Sequence, residues 1–467
     1  MHKSIMSLVL APLLAAGCAV GPAYEKPVPQ AGAESDFVTM VDTVDPTLPV
    51  PDEWWRLYND PVLDALVSEA LDANTDLQIA AANLEEARAV VRQARAGRLP
   101  STTIEGGVDF GNSVQGALGA DEQLTSYANA SAAWEVDLFG RVRRAIDAAE
   151  ADAEAVKAAR DAVRVTVAAE TTRAYLNACT ATLSLQVAQK SYETSQESLD
   201  LVSIQHEAGS ADDFDLERAG SRAATARAQI PAYAAQRDLA LFELAALLGR
   251  TPDKIPDAAR NCSIPPEPVA ALPVGDGAAL LRRRPDLRQA ERGLAAATER
   301  IGIATADLYP RVSFGGVGSF LRNDIVTGDD SFTFGLGPAV SWNFPNRVAA
   351  RARLEQAEAR GDAALAGFEG KVLTALKEVE QALTAVASEQ NQLDALREAQ
   401  ERSERAYQLA ELKYRAGSVA YLDVLVAQAD LLTARAAYAS SVQRLSSARV
   451  DLFKSLGGGW REESSSL

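Results

Sequence analysis

The sequence predicts a mainly α-helical chain that also carries part of a membrane β-barrel, and three observations lead there. One unit, a strand pair followed by a very long helix, occurs twice at an offset of about 208 residues. Residues 141–206 contain neither proline nor glycine. Four segments alternate apolar and polar side chains in the manner of strands with one face in lipid.

The repeat is read from matches that keep their order along both halves. Leu99-Pro100 pairs with Tyr309-Pro310, Trp134 with Trp342, and Gly140-Arg141-Val142 with Asn346-Arg347-Val348. Ala208-Gly209-Ser210 then pairs with Ala416-Gly417-Ser418, Phe214-Asp215-Leu216 with Leu422-Asp423-Val424, and Leu247-Leu248-Gly249 with Ser455-Leu456-Gly457. The expected layout is a segment 18–50, a first repeat over 51–260, a second over 261–458 and a tail 459–467.

Each repeat opens with a helix, near 68–97 and 285–307, that stops at Pro100 or Pro310, because the residue before proline is pushed out of the helical region. The next helices, 141–206 and 347–415, are rich in Ala, Glu, Gln and Arg, all good helix formers. At 1.5 Å per residue the first of them would run about 100 Å, which calls for a coiled coil or a helical tube. Gly209 and Gly417 break the pattern before helices 213–248 and 420–455.

Strands are expected at about 102–110, 126–138, 311–320 and 331–344. In the first, Ile104, Gly106, Val108 and Phe110 fall on one face and Thr103, Glu105, Gly107 and Asp109 on the other. Ala128, Ala130, Ala132, Trp134 and Val136 alternate likewise against Tyr127, Asn129, Ser131 and Glu135. In the second half Phe332, Phe334, Leu336 and Val340 oppose Thr333, Gly335, Gly337 and Ser341. Four strands cannot close a barrel, for which about eight are needed, so the chain must associate with its own kind. The polar face, with Glu105, Asp109, Glu135 and Asp137, would line an acidic lumen.

Residues 1–17 combine His2 and Lys3 with an apolar run ending in small residues, the layout of a secretory signal. The run ends at Leu14-Ala15-Ala16-Gly17-Cys18, which resembles a bacterial lipobox and implies acylation of Cys18 and an outer-membrane address. No later stretch is apolar for about 18 residues, so no membrane-spanning helix is expected. The formal charge of −18 argues against a nucleic-acid partner. His2 and His206 are the only histidines, which argues against a catalytic triad or a three-histidine zinc site. No enzymatic activity, metal or cofactor is expected. Cys179 lies within a long helix and Cys262 in a Pro-rich connector, and the two are expected to be unpaired.

Several motifs follow one another in order: Cys18-Ala19-Val20-Gly21-Pro22 with Tyr24 and Pro27, Trp54-Trp55 with Leu57, Asp60 and Leu63, and Arg283-Arg284-Pro285-Asp286-Leu287. Tyr309-Pro310, Trp342-Asn343-Phe344 and Gly417-Ser418-Val419 ahead of Leu422-Asp423-Val424-Leu425 complete the series. With this series the whole mature chain resembles the TolC family, in its OprM-like lipoprotein branch. The resemblance implies a homotrimer, with a twelve-stranded barrel in the outer membrane continuous with a twelve-helix periplasmic tunnel. It also implies the role of passive exit duct in a tripartite pump, served by a periplasmic adaptor (membrane fusion protein) and an inner-membrane pump of the RND type. The cargo would be drugs or other small toxic compounds.

Gly209 and Gly417 stand at the helix ends farthest from the strands, which makes the two turns the periplasmic tips. The resemblance implies that Gly209, Ser210, Gly417 and Ser418 meet the adaptor, that Asp423 rings the closed entrance and that Tyr414 helps to hold it shut. Asp215 is the repeat equivalent of Asp423, and Asp212 and Asp213 add negative charge nearby. Val419 and Val426 replace the tip arginine and second gate aspartate of the TolC type. The competing readings are a duct for type I protein secretion or metal efflux, and a periplasmic coiled-coil scaffold without a pore. Met40 is the only methionine left after signal removal, which speaks against a methionine-lined copper route.

Overall fold

A computed structural model describes residues 19–39, 43–112, 122–268 and 271–460. The signal segment, the lipid-attachment candidate Cys18 and Met40 lie outside them. The first half runs α1 (Pro61–Ala73), α2 (Thr75–Ala96), β1 (Ser101–Gly111), β2 (Gln123–Val136), α3 (Arg141–Glu207) and α4 (Asp213–Leu247). A connector with the short α5 (Asp257–Arg260) leads to α6 (Gly277–Arg283), α7 (Pro285–Ala306), β3 (Arg311–Arg322), β4 (Phe332–Ser341), α8 (Val348–Arg415) and α9 (Tyr421–Ser455). The duplication is metrical as well as sequential: α3 and α8 have 67 and 68 residues, and α4 and α9 have 35 each.

The single helix expected near 68–97 is two helices, parted at Asn74, which is extended. The Asn74 side chain accepts from the backbone N–H groups of Asp76 and Leu77 and donates to the Leu247 carbonyl, so it caps α2 and ties it to the end of α4. At the matching place in the second half Arg284 precedes Pro285 and parts α6 from α7. The helix ladder is thus interrupted at the same point twice, once by a capping side chain and once by proline.

The chain forms two compact units, each drawing on both halves of the sequence. One unit comprises residues up to Val28, Ala82–Ala158 and Arg288–Gly370 and holds one antiparallel sheet in the order β1-β2-β3-β4. Its register aligns the alternation of all four strands. Ile104 lies opposite Ala130, Ala130 opposite Gly318, and Gly318 opposite Phe334. Phe110 lies opposite Leu124, Trp134 opposite Phe314, and Phe320 opposite Phe332. One face is therefore apolar from edge to edge, and Ile104, Phe334 and Leu336 on it are 84%, 93% and 74% exposed. Such exposure of contiguous large apolar side chains marks a surface that meets lipid or protein.

At the sheet's helical end, the indole N–H of Trp134 donates to the Arg98 carbonyl and that of Trp342 to the Leu308 carbonyl, at 3.0 and 3.2 Å. Each bond satisfies a carbonyl left over where the preceding helix stops. Glu135 and Asp137, expected among the lumen charges, have local partners. Glu135 pairs with Arg141, and Asp137 accepts from the backbone N–H groups of Val142 and Arg143 at the start of α3. The reason is position: Glu135 is the penultimate residue of β2 and Asp137 the first after it, where a helix N-terminus and its arginine are in reach.

The N-terminal segment docks on this same unit. The Val20 N–H bonds the Phe139 carbonyl, and the Tyr24 hydroxyl donates to Glu291 at 2.5 Å. A Cβ on Gly21 would lie 2.7 Å from the Gly302 Cα, so only glycine allows the segment to lie this close to α7. The Arg144–Glu299 ion pair beside it is nearly buried.

The other unit comprises Pro29–Ala81, Ala159–Leu287 and Lys371–Leu467. Here Trp54, fully buried, stacks on Phe453 with ring centroids 4.7 Å apart. Arg283 donates to Asp52 and to the Val50 and Gly457 carbonyls, and Arg284 to Asp286 and the Ser455 carbonyl. Burial opposes the charge on Asp286, yet the Arg284 guanidinium holds its carboxyl below the ordinary range. These residues join the segment around 50–58, the α6–α7 corner and the end of α9. Several buried hydroxyls along the long helices bond a carbonyl of their own helix, as Thr172 to Ala168 and Ser195 to Ser191, which lets polar residues sit at helix contacts.

Cys179 and Cys262, expected to be unpaired, form a disulfide with a Cα–Cα distance of 4.9 Å. The connector folds back on α3 and brings Cys262 beside a Cys179 that is fully buried. The bond closes a loop with a sequence separation of 83 that contains the end of α3, the Gly209 turn and all of α4.

Glu380 on α8 fastens residues 38 and 39, accepting from the Val38 and Thr39 backbone N–H groups at 2.6 and 2.9 Å. Desolvation works against its ionisation, but these bonds prevail and hold its carboxyl below the usual range. A depressed carboxylate contributes stability above its unfolded value and loses it as pH falls through the folded one. Acidification below about pH 4.5 is expected to free this segment, with faster amide hydrogen exchange at Val38 and Thr39. Glu380→Gln should show that faster exchange already at neutral pH.

Candidate functional site

The two turns that join α3 to α4 and α8 to α9 are built alike. Gly209 has φ +74° and Gly417 φ +72°, the left-handed conformation that ends a helix. The Gly209 N–H bonds the His206 carbonyl and the Ser210 N–H the Gln205 carbonyl, at 2.9 and 2.8 Å. In the second turn the Gly417 N–H bonds Tyr414 and the Ser418 N–H bonds Lys413, both at 2.9 Å. Ser210 and Ser418 each add a hydroxyl bond to that same carbonyl, of Gln205 and Lys413 respectively. A Cβ on either glycine would meet nothing within 4 Å, so both backbones are open to a partner.

The next helices start differently. Asp212 caps α4 by accepting from the Asp215 N–H at 2.9 Å, and Asp213 bonds the His206 ring at 2.8 Å. Ala420 stands in place of Asp212 in the second turn and cannot cap. Instead the Asp423 carboxylate reaches back to accept from the Ala420 N–H at 3.1 Å. Asp423 is exposed and Asp215 half-buried. The sequence-derived set therefore divides: Asp212, Asp213 and Asp215 gather at one turn, Asp423 and Tyr414 at the other.

The turns share a small core. Val202 of α3, Ala219 of α4 and Tyr421, Val424 and Leu425 of α9 pack together, with Tyr407 and Tyr414 of α8 against them. Three polar ties hold the second hairpin to α3. The Tyr414 hydroxyl donates to Gln205, the Tyr421 hydroxyl bonds the Ser198 hydroxyl at 2.7 Å, and the Gln428 amide donates to the Thr194 carbonyl at 3.1 Å. Burial raises the Tyr421 phenol above its ordinary value and that of Tyr407 to about 12, so both remain neutral donors at physiological pH. Gln205, Ser198, Tyr421 and Gln428 were missed in the sequence. The signal was available in the repeat, since Tyr421 and Gln428 are large polar residues where the first half has Asp213 and Gly220.

Among the described residues there is no cluster of His, Cys, Asp or Glu able to hold a metal, and no helix is long and apolar enough to cross a membrane. What the arrangement offers is a sheet with a lipid-compatible face, and helix turns tied by a few separable polar bonds.

The model of the outer membrane efflux protein family matches residues 66–250 and 278–458, one match in each half. A solvent efflux pump outer membrane protein of Pseudomonas putida, SrpC, is 31% identical, over 96% of this chain and 97% of its own. Nodulation protein T of Rhizobium leguminosarum is 29% identical, over 98% and 94%. Among solved structures the outer-membrane channel OprN is 35% identical with a TM-score of 0.87, over 95% of this chain and 100% of that one. The chain thus belongs to the outer membrane efflux protein family.

Proposed function

We propose that three copies of this chain form the outer-membrane exit duct of a tripartite efflux pump. It conducts drugs or other small toxic compounds passively from an RND-type inner-membrane pump and its periplasmic adaptor to the cell exterior. The observation that carries this reading is the sheet: one face is apolar from edge to edge, and β1 and β4 are each paired on one side only among the described residues. A strand edge cannot stay unpaired in hydrocarbon, so β1 of one copy must pair with β4 of another. Three copies supply twelve strands, an even number within the range of outer-membrane barrels. Acyl chains on Cys18 would anchor the assembly, and the docked segment from Ala19 to Tyr24 would fix where that anchor sits. The relative named for solvent efflux agrees with a cargo of small toxic compounds.

In this reading Gly209, Ser210, Gly417 and Ser418 receive the adaptor, and Asp423, Tyr414, Asp215, Asp212 and Asp213 form the entrance. Asp423 has two separable roles, a charge at the entrance and an acceptor for the Ala420 N–H. Asn keeps the acceptor and removes the charge, whereas Ala removes both. The Asp423→Asn duct is expected to lose cation preference in planar bilayers while its closed fraction changes little. Asp423→Ala is expected to lose that preference and also to admit large antibiotics into cells, because the start of α9 loosens by about 1 kcal/mol. Unchanged ion selectivity in both variants would remove Asp423 from the entrance. Absence of any conductance from the parent protein would overturn the duct itself.

A further inference from the structure

In the unit that holds the helix turns, α3 and α9 are packed at two levels with a gap between. The cluster around Val202, Tyr421 and Leu425 closes one end, and that of Leu183, Leu393, Val442 and Leu445 closes the other. The helices between these clusters leave a groove of about 470 Å³. Its cause is local composition: α3 presents Ser184, Ala188 and Ser191 there, and α9 presents Ala429, Ala436 and Ala439. These side chains are too short to meet across the gap. Helix cores normally pack without such voids, and the volume falls within the range of small-molecule sites.

The groove has a definite polarity. Val187 and Leu432 extend the apolar wall made by the alanines, while α4 brings Arg222, Gln229 and Tyr233. Arg222 is half-buried and makes no ion pair among the described residues. Glu193 on α3 is held by Lys190 and Asp430 on α9 is exposed, while Arg222 and Asp215 both lie toward Tyr421.

We propose that this groove binds an amphiphile with an apolar body and a single oxyanion head, the body on the Ala, Val and Leu wall and the head on Arg222. Tyr233 and Gln229 add hydrogen bonds at the same end. The site is separate from the turns and does not rest on the duct reading.

The test uses the full chain in lipid nanodiscs, titrated with dansyl-undecanoic acid and with its methyl ester, against empty nanodiscs as background. The site predicts saturable fluorescence enhancement near one probe per chain, with the ester at least about tenfold weaker, since a charge-assisted bond is lost. Arg222→Gln should weaken the acid by a similar factor while Arg222→Lys retains most of it. Ala436→Trp, which fills the groove from an exposed position, should abolish saturable binding. A signal no greater than that of empty nanodiscs overturns the proposal, as does binding that survives Ala436→Trp. Equal binding of acid and ester, unaffected by Arg222→Gln, overturns it as well. If Ala436→Trp fails to assemble and the parent binds no probe, a second copy of the chain occupies the groove and the proposal fails. Should that variant simply not fold, the acid–ester comparison and Arg222→Gln decide alone. Bilayer conductance of the parent, recorded in parallel, reports on the duct independently.

Discussion

Cys179→Ser is expected to destabilise the α3–α4 hairpin and the connector by about 4.5 kcal/mol, the largest single effect that the structure points to. The disulfide closes a loop with a sequence separation of 83, and the entropy that such a loop regains on opening corresponds to about that amount. The second hairpin has Ala387 where the first has Cys179, so α8 and α9 carry no equivalent constraint. Reduction with a small thiol should therefore speed amide exchange in α4 and in connector residues 250–268, and leave α9 unchanged. Equal exchange in oxidised and reduced protein would deprive the bond of this role. Because Cys179 is fully buried, reduction should be slow until the connector lifts, with first-order kinetics independent of thiol concentration at high thiol.

In the proposed duct, Tyr414→Phe combined with Tyr421→Phe is expected to shift the entrance toward its open form by about thirtyfold. Each change removes one hydroxyl tie to α3 while preserving the aromatic ring in the small core of the turns. At about 1 kcal/mol per hydrogen bond the pair contributes about 2 kcal/mol. Single-channel recording should show a duct that is closed most of the time in the parent and open most of the time in the double variant. The single variants should fall between, and because the two rings lie 5.4 Å apart their effects are expected to couple rather than simply add. A double variant with the parent's open probability would mean that these ties do not restrain the entrance.

Much of the fold class was legible because its signals are local. Period-two alternation around Ile104 and Phe334 and the absence of proline and glycine between Arg141 and His206 need no knowledge of the rest of the chain. The two turns were legible because a left-handed helix end nearly demands glycine, and the duplication repeated the Ala-Gly-Ser signature. What escaped depends on partners distant in sequence. Asn74 reads as an ordinary helix residue until Leu247, 173 residues away, is found at its amide. Cys179 and Cys262 could not be paired without the path of the connector. The ties on α3 escaped for a different reason: Ser198 and Gln205 lie in a run of polar residues whose buried members cannot be told from the exposed ones by composition.

The Arg283-Arg284-Pro285-Asp286 motif illustrates the difference between a mark of family and a site of action. Its arginines spend their donors on Val50, Asp52, Ser455, Gly457 and Asp286, all within one unit, and Trp460 donates to the Arg283 carbonyl. Burial lowers the Arg283 guanidinium from its ordinary value, yet it remains far above physiological pH and charged. The motif is structural: it fastens the corner between α6 and α7 to the end of α9.

The proposed trimeric duct requires β1 of one copy to pair with β4 of another, and a single cross-linking measurement addresses that pairing. Cysteines placed at Ser101 and Ser341, on the unpaired edges of the two strands, should join chains in outer membranes under mild oxidation. A ladder that ends at three chains is expected, with the closed trimer as its largest species. Cross-links that stop at two chains, continue beyond three or do not form between these edges would contradict the trimeric duct.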